Sequence, residues 1–353
     1  MNIKNKIYFC FPLSGPNNGV QVISSYILNE FIKDDEFEIL SIDIAQAEGF
    51  NNFGKFKFKK LIDTLGLFMR LTNIREGDLV FLNFTPKGFA FYRDFIMILI
   101  SKLKGGNVTV HVHANGLEKK FNALIKLLLK KIKIIVINKS QYNNLKNKHS
   151  NLFLINNALP DFFQGNKMDF SQKEDEINLL FFSNLSKEKG IYRLEEIIKL
   201  VGRSDLNCKF NIYGGILDKS NESIFNRLKL EYDFIHYFGP ISDEKEKFKI
   251  FAKSDLLLFL SNKNYEVSPL VYIEALMSGL PIITTNQVVS DAIVSAKCGY
   301  HISEDVSEII TVLQEYKQNV ILREELRHTC RNLYLTKYSF GNFINQIKTV
   351  IVK

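Results

Sequence analysis

The fold turns on one stretch, "DLLLFLSNKNYEVSPLVYIEALMSGLPIITT", residues Asp255–Thr285. It opens on an apolar run that is short and unbroken by polar residues, the pattern of a strand buried on both faces. Ser268 then supplies helix-capping chemistry and Pro269 suits the first helical position, where its missing N–H costs nothing. The helix is predicted to run to about Ser278 and to close at Gly279, before a second strand in "LPIITT". A strand, helix and strand of this length make a parallel crossover, and ligands of such sheets sit beyond the carboxyl ends of the strands. Glu266 falls in that loop. The N–H groups of Leu270 and Val271, at the positive end of the helix dipole, form a ready phosphate site. Glu274 lies about one turn further in, and helical side chains lean back toward the N-terminus. Its carboxylate could accept from a ribose diol and that of Glu266 from another polyol. From spacing alone the two read equally well as surface carboxylates on a capped helix.

The same alternation extends through the whole chain of 353 residues, 46% of them hydrophobic. In the first half the apolar runs are "KIYFCFPL", "FEILSIDI", "DLVFLNF", "NVTVHVHA", "KIIVINK" and "NLFLIN". In the second they are "INLLFFSN", "CKFNIYGG", "DFIHYFG", "DLLLFLS", "LPIITT" and "CGYHI". Amphipathic segments of helical length separate them, which predicts an α/β chain of two doubly wound, Rossmann-like domains. The expected boundaries are residues 1–160, a polar linker over 161–176, and 177–337. A last amphipathic helix over 338–353 is expected to return to the first domain.

Charge is unevenly placed. Residues 1–165 carry 22 Lys/Arg against 13 Asp/Glu, whereas the remainder carries 24 against 25. The first half thus faces an anionic partner, and two of its stretches combine lysines with apolar groups. One is "FGKFKFKK" (residues 53–60). The other is "LEKKFNALIKLLLKKIK" (residues 117–133), read as one helix with Leu117, Phe121, Leu124, Ile125 and Leu128 on one side. Such segments suit an anionic membrane surface, although a helix packed on the sheet with solvated lysines has the same periodicity. No nucleic-acid-binding motif accompanies the charge, so nucleic acid is not expected as a partner. The four cysteines are scattered, which argues against a disulfide framework and for a reducing, cytoplasmic setting. The N-terminal apolar run reads as a buried strand rather than a signal peptide, and no run reaches the roughly 20 residues of a membrane span.

The segment Tyr265–Thr285 resembles the E-x7-E motif of the retaining glycosyltransferase family 4, whose members have the two-domain GT-B fold. Three further segments agree with that family in order and spacing: "LLFFSNLSKEKGIYRLEEIIKLV" (179–201), "FNIYGG" (210–215) and "HYFGPISDEKEKFKIFAKSDLLLFLSN" (236–262). The likeness covers nearly all of the second half and is weak in the first, at "FPLSGPNNGVQV", "VHVHANG" and "INNALPDFF". It implies that Glu274 holds the ribose of a nucleotide-sugar donor and that Glu266 contacts the transferred sugar. The amides of Leu270 and Val271, beside Ser268, would meet the diphosphate, and Lys189 would neutralise the leaving group. Preorganised cations and N–H dipoles stabilise the charge that develops as a nucleoside diphosphate departs. Two positions depart from the family pattern. Asn184 stands where an arginine is usual, able to hydrogen-bond a phosphate without adding charge. Asn18-Gly19 replaces a Gly-Gly pair, leaving Gly19 for close backbone approach to the donor.

Alternation puts His111 and His113 on one face of a strand, with His113 nearer its carboxyl end. The resemblance implies that His113 lines the site near the donor sugar; a buried, hydrogen-bonded core histidine is the other reading. The sequence has neither an Asp-x-Asp pair nor a His/Cys group at ligand spacing, so no metal and no cofactor are expected. The expectation is a cytoplasmic retaining hexosyltransferase, peripheral at the inner face of the membrane. It would move a hexose from a nucleotide diphosphate sugar to a glycan acceptor, lipid-linked, in bacterial capsule, O-antigen or lipopolysaccharide synthesis. A sugar-nucleotide epimerase or phosphorylase of the same fold, or a non-catalytic nucleotide-sugar-binding subunit, are the alternatives.

Overall fold

The computed structural model describes residues 6–15, 18–45, 58–163, 175–216, 219–241, 243–262, 267–285 and 295–352. The chain divides into two compact units, Met1–Leu159 with Phe340–Lys353, and Pro160–Ser339.

Every apolar run singled out in the sequence is a strand. In the first unit these are β1 (Lys6–Phe11), β2 (Glu38–Asp43), β3 (Leu79–Phe84), β4 (Asn107–Val112), β5 (Lys133–Val136) and β6 (Leu152–Leu154). They form one parallel sheet in the order β2-β1-β3-β4-β5-β6, so the direction of winding reverses between β1 and β3. The helices are α1 (Gly19–Ile32), α2 (Phe58–Leu71), α3 (Gly88–Leu103), α4 (Leu117–Lys120), α5 (Ala123–Leu129), α6 (Lys139–Leu145) and the last helix of the chain, Phe340–Val352. Strand alternation sorts the core onto two faces. Tyr8 and Cys10 of β1 join the cluster beneath α2, α3 and α5. Phe9 and Phe11 turn the other way, where Phe9 meets Phe31 of α1 edge-on at 5.0 Å and Phe11 meets Phe81 at 5.1 Å.

The second unit holds β7 (Ile177–Phe182), β8 (Cys208–Tyr213), β9 (Ile235–Gly239), β10 (Leu256–Phe259), β11 (Ile282–Thr284) and β12 (Gly299–His301). Its sheet is also parallel, in the order β12-β11-β10-β7-β8-β9. Numbered from its own first strand this is the 3-2-1-4-5-6 order of dinucleotide-binding sheets, with the winding reversal between β7 and β10. The helices are α7 (Ile191–Gly202), α8 (Lys219–Glu231), α9 (Glu244–Lys253), α10 (Leu270–Met277), and two more over Ile309–Gln318 and Val320–Lys337. A buried Asp255–Arg327 contact ties the last of these to the sheet. Asp255 accepts from the Asn178 amide at 2.8 Å, and Arg327 donates to the Ser254 carbonyl at 2.7 Å.

One local expectation is corrected. Residues 117–133 are not one helix: α4 ends at Lys120 and Asn122 caps α5, its side chain accepting from the Ile125 amide at 3.0 Å. Asparagine offers the backbone a competing hydrogen bond, so it starts a new helix more readily than it continues an old one. Lys133 already belongs to β5. Ile125 and Leu128 are buried as expected, whereas Leu124 faces solvent. Of "FGKFKFKK", residues 53–57 lie outside the described residues and Phe58–Lys60 open α2.

Candidate functional site

In the second unit the winding reversal sets the loops after β7 and β10 side by side, where crossovers leave in opposite directions and open a crevice. The loop after β7 is anchored at both its ends. At its start the Asn184 side-chain oxygen accepts from the Gly215 amide at 3.1 Å, tying the exits of β7 and β8. Close approach there requires glycine, because a Cβ on Gly214 (φ +137°) would sit 1.9 Å from the Ser183 carbonyl. At its end Gly190 (φ +89°) precedes α7, and a Cβ would stand 2.3 Å from the Leu260 carbonyl. Lys189 sits in the turn between, its amide bonded to the Ser186 carbonyl at 3.2 Å.

The exit of β10 is bound to this turn. The Asn262 amide donates to the Glu188 carbonyl at 2.9 Å, and Arg193 of α7 donates to the Leu260 carbonyl and the Asn262 side chain at 3.2 and 2.7 Å. The turn holding Lys189 and the exit of β10 thus belong to one hydrogen-bonded assembly around the reversal point.

Ser268 does not cap α10. Pro269 holds the capping position with an extended backbone (ψ 128°), no side chain caps the helix, and Leu270 is its first residue. The φ of Pro269, −69°, suits helix and extended chain alike, and it is its extended ψ that moves the start one residue on. The N–H groups of Leu270 and Val271 therefore have no partner within the helix, at its positive end. Gly279, at φ +62°, closes the helix after Ser278.

Glu274 is buried, and its carboxylate stands 2.7 Å from the Lys247 ammonium of α9. Lys247 is a site residue that the sequence reading missed. It lies in the quoted segment 236–262, but nothing in its spacing separates it from the solvated lysines around it. The Ser278 hydroxyl donates to the Glu274 carbonyl at 2.9 Å. From the far side Arg331 holds the helix end, donating to the Met277 carbonyl at 2.9 Å while pairing with Asp161. Glu266 lies outside the described residues.

Gly19 and His113 belong to the first unit. Gly19 is the exposed first residue of α1, and Asn18 before it caps the helix, its side chain accepting from the Gln21 amide at 3.0 Å. That capping role is an additional finding at a position read only as a departure from a glycine pair. His113 follows β4, its Nε2 lying 3.1 Å from Nδ1 of His111, so alternation does bring the two rings together. His111 is fully buried and stacks on Phe81 with ring centroids 5.8 Å apart. Burial pushes His113 down to about 3, and holds His111 well below the usual histidine range with His113 as a further cause. Both rings are neutral at pH 7, so His113 can exchange hydrogen bonds with a ligand but brings no charge.

Residues 163–332 match the family described as glycosyl transferases group 1. The second unit thus carries a glycosyltransferase domain, and the chain has the GT-B fold. Solved structures share its fold over almost the whole length. Sucrose-phosphate synthase from Thermosynechococcus elongatus superposes with a TM-score of 0.70 at 15% identity, covering 98% of each chain. HepE from Anabaena, solved in complex with UDP-glucose, gives 0.68 at 14% identity and 98% of each chain. WaaG, a glycosyltransferase involved in lipopolysaccharide biosynthesis, gives 0.64 at 16% identity, covering 98% of this glycosyltransferase and 99% of WaaG. No curated protein matches the glycosyltransferase in sequence. Among its described residues no helix is long and apolar enough to cross a membrane, and no group of three His, Cys, Asp or Glu side chains is placed to hold a metal ion.

Proposed function

We propose that this glycosyltransferase moves a hexose from a nucleotide diphosphate sugar, with retention, to a hydroxyl of a lipid-linked glycan at the cytoplasmic face of a membrane. The observation that carries the reading is the arrangement at the β7/β10 reversal. An uncapped helix N-terminus, a lysine turn bonded to the neighbouring strand exit and a buried carboxylate one turn into the helix meet in the unit that matches group 1. The diphosphate lies on the Leu270 and Val271 amides beside Ser268, and the ribose diol donates to Glu274. Lys189 and the amides carry the charge of the leaving group, without a metal. Asn184, whose oxygen is already engaged by Gly215, meets phosphate through its amide hydrogens. The family 4 resemblance assigns the sugar hydroxyls to His113 and Glu266, and close backbone approach to the donor to Gly19.

In the transfer the bond from the anomeric carbon to the diphosphate oxygen breaks, and the acceptor oxygen bonds to the same face of that carbon. The acceptor proton leaves on the departing phosphate. UDP and UDP-glucose in the HepE structures support a nucleotide-sugar donor, and the role of WaaG in lipopolysaccharide biosynthesis supports a surface-glycan acceptor. Retention rests on the family 4 resemblance alone.

A panel of UDP-, GDP- and dTDP-sugars tests the donor assignment by thermal shift, with release of the nucleoside diphosphate measured for each that binds. Selective stabilisation that Glu274→Ala abolishes is the expected result. A panel in which no donor stabilises the folded protein rejects the assignment.

A further inference from the structure

The first unit leaves one side of its helical layer apolar to solvent. In α3 the side chains of Phe89, Tyr92, Ile96, Leu99 and Leu103 are exposed, and their spacing of three, four, three and four places them in one stripe. The opposite side of the same helix, with Phe91, Met97 and Ile98, fills the core against the sheet. A helix apolar on both sides has a second partner to meet, because a single scattered surface leucine means nothing but a contiguous stripe does.

The stripe is not confined to one helix. Neighbouring α2 exposes Ile62, Leu65 and Met69, the last 72% accessible. On the other flank α5 exposes Leu124 and Leu127, and Lys102 of α3 donates to the Leu128 carbonyl at 2.7 Å. Most of the large apolar side chains exposed among the described residues lie on these three helices.

The charge around this surface selects its occupant. Lys104, Lys119, Lys120, Lys126, Lys130 and Lys131 are exposed at its margin, whereas the exposed acids from residue 62 to residue 131 are Asp63 and Glu76 alone. Where α2 and α3 end, Arg70, Arg75 and Lys104 line a cavity shared with Lys6, which pairs with Glu38 at 2.8 Å, and with apolar side chains such as Leu40 and Ile42. A second copy of this chain would bring the same lysines against each other, which like-charge repulsion disfavours. An anionic bilayer satisfies both features, taking the apolar side chains below its phosphates and the lysines at their level.

We infer that the outer face of α2, α3 and α5 is the membrane-docking surface of the protein, with the basic cavity at the ends of α2 and α3 receiving the phosphate of an acidic lipid headgroup. This deepens the membrane part of the proposed function and rests on it, while the surface is separate from the donor site. It also moves the docking element away from a single basic helix over residues 117–133: the apolar depth comes from α3, and α4 and α5 supply lysines.

Flotation with vesicles of phosphatidylglycerol and phosphatidylcholine, against phosphatidylcholine alone, tests it on the full chain. The expected result is binding to the anionic vesicles that Ile96→Glu with Leu99→Glu weakens about tenfold or more, the scale of withdrawing two buried aliphatic side chains. Arg75→Glu with Lys104→Glu should weaken it as well, and Glu274→Ala should leave it unchanged. Each variant is compared with the parent in thermal unfolding, since exposed positions tolerate substitution. Binding that survives Ile96→Glu with Leu99→Glu in a folded protein overturns the proposal. So does a concentration-dependent dimer that those same substitutions dissociate, which would assign the face to a second copy. Donor binding is read separately, so vesicle binding can fail while the donor site stands.

Discussion

Two units built on the same plan differ in the polar groups they set beyond their strands. Both are six-stranded parallel sheets with a winding reversal, yet the reversal falls between β1 and β3 in the first and between β7 and β10 in the second. Near the carboxyl ends of its strands the first unit offers two neutral histidines, His111 buried and His113 half-buried, and a buried Arg93–Asp94 pair in which Asp94 accepts from the Thr85 amide at 2.8 Å and Arg93 donates to the Ile44 carbonyl at 2.6 Å; its exposed cations lie beside exposed apolar side chains. The second also buries charges in pairs, Glu274 with Lys247 in the helix that follows the β10 loop, and Asp255 with Arg327 at the opposite, amino end of β10. A buried pair costs desolvation and holds only with good geometry, so it fixes nearby groups in place rather than adding much net stability. The lesson is that the sheet provides a location and the loops decide the chemistry: an uncapped helix start beside Lys189 in one unit, a pair of neutral histidines in the other.

Breaking the charged side of this contrast should have the largest effect. Lys189→Ala is expected to lower turnover about 10²- to 10³-fold, the scale of removing one preorganised group that stabilises developing negative charge. Steady-state release of the nucleoside diphosphate measures it, and turnover within a factor of a few of the parent would move the role elsewhere.

Next comes the pair behind α10. Glu274→Ala leaves the Lys247 ammonium mostly buried beside an empty place, and about 2–3 kcal/mol of stability should go with it, somewhat below the full cost of breaking a completely buried pair. Chemical denaturation gives that number. Lys247→Leu, which removes the other partner, should weaken donor binding because the carboxylate loses the cation that orients it. Unaltered donor affinity in Lys247→Leu would separate the ion pair from the donor site.

The histidine side is sharpened by pH. His113 takes up a proton near 6.5 when unfolded but only near 3 when folded. Between these values the unfolded chain binds more protons, so stability rises with pH across this window, and it is lost as pH falls from 6.5 toward 3. His113→Asn should flatten part of that slope in denaturation at a series of pH values. A slope identical to the parent's would mean that other groups set it.

The smallest effect is expected at the entrance of α1. Asn18→Ala removes the cap on the Gln21 amide and should cost about 1 kcal/mol, while Asn18→Gly should cost only a few tenths. Thermal unfolding of the pair of variants checks the difference, and equal losses would argue against a capping role.

The strands were legible because each buried parallel strand writes itself as an unbroken apolar run, and α10 was legible because Pro269 and Gly279 punctuate its two ends. Alternation was enough to foresee that His111 and His113 share a face. The helix start was misplaced by one residue because the sequence Ser-Pro fits two caps, and only the extended backbone of Pro269 distinguishes them. Asn122 carried a visible cap signal that the lysine periodicity around it obscured. Lys247 was not legible at all, since its partner lies 27 residues away on another helix and its own helix is rich in lysine. Nor could the sequence rank the outer face of α3. Apolar residues there occur on both sides of the helix, and only the sheet's position tells which side remains exposed.

Hydrogen exchange of the full chain, with and without the nucleotide sugar that stabilises it most, tests the central claim most directly. The account predicts that the donor slows exchange at the turn holding Lys189 and at the first amides of α10, Leu270 and Val271, and that Glu274→Ala removes this protection. Protection that spares both segments while the donor is demonstrably bound would contradict it.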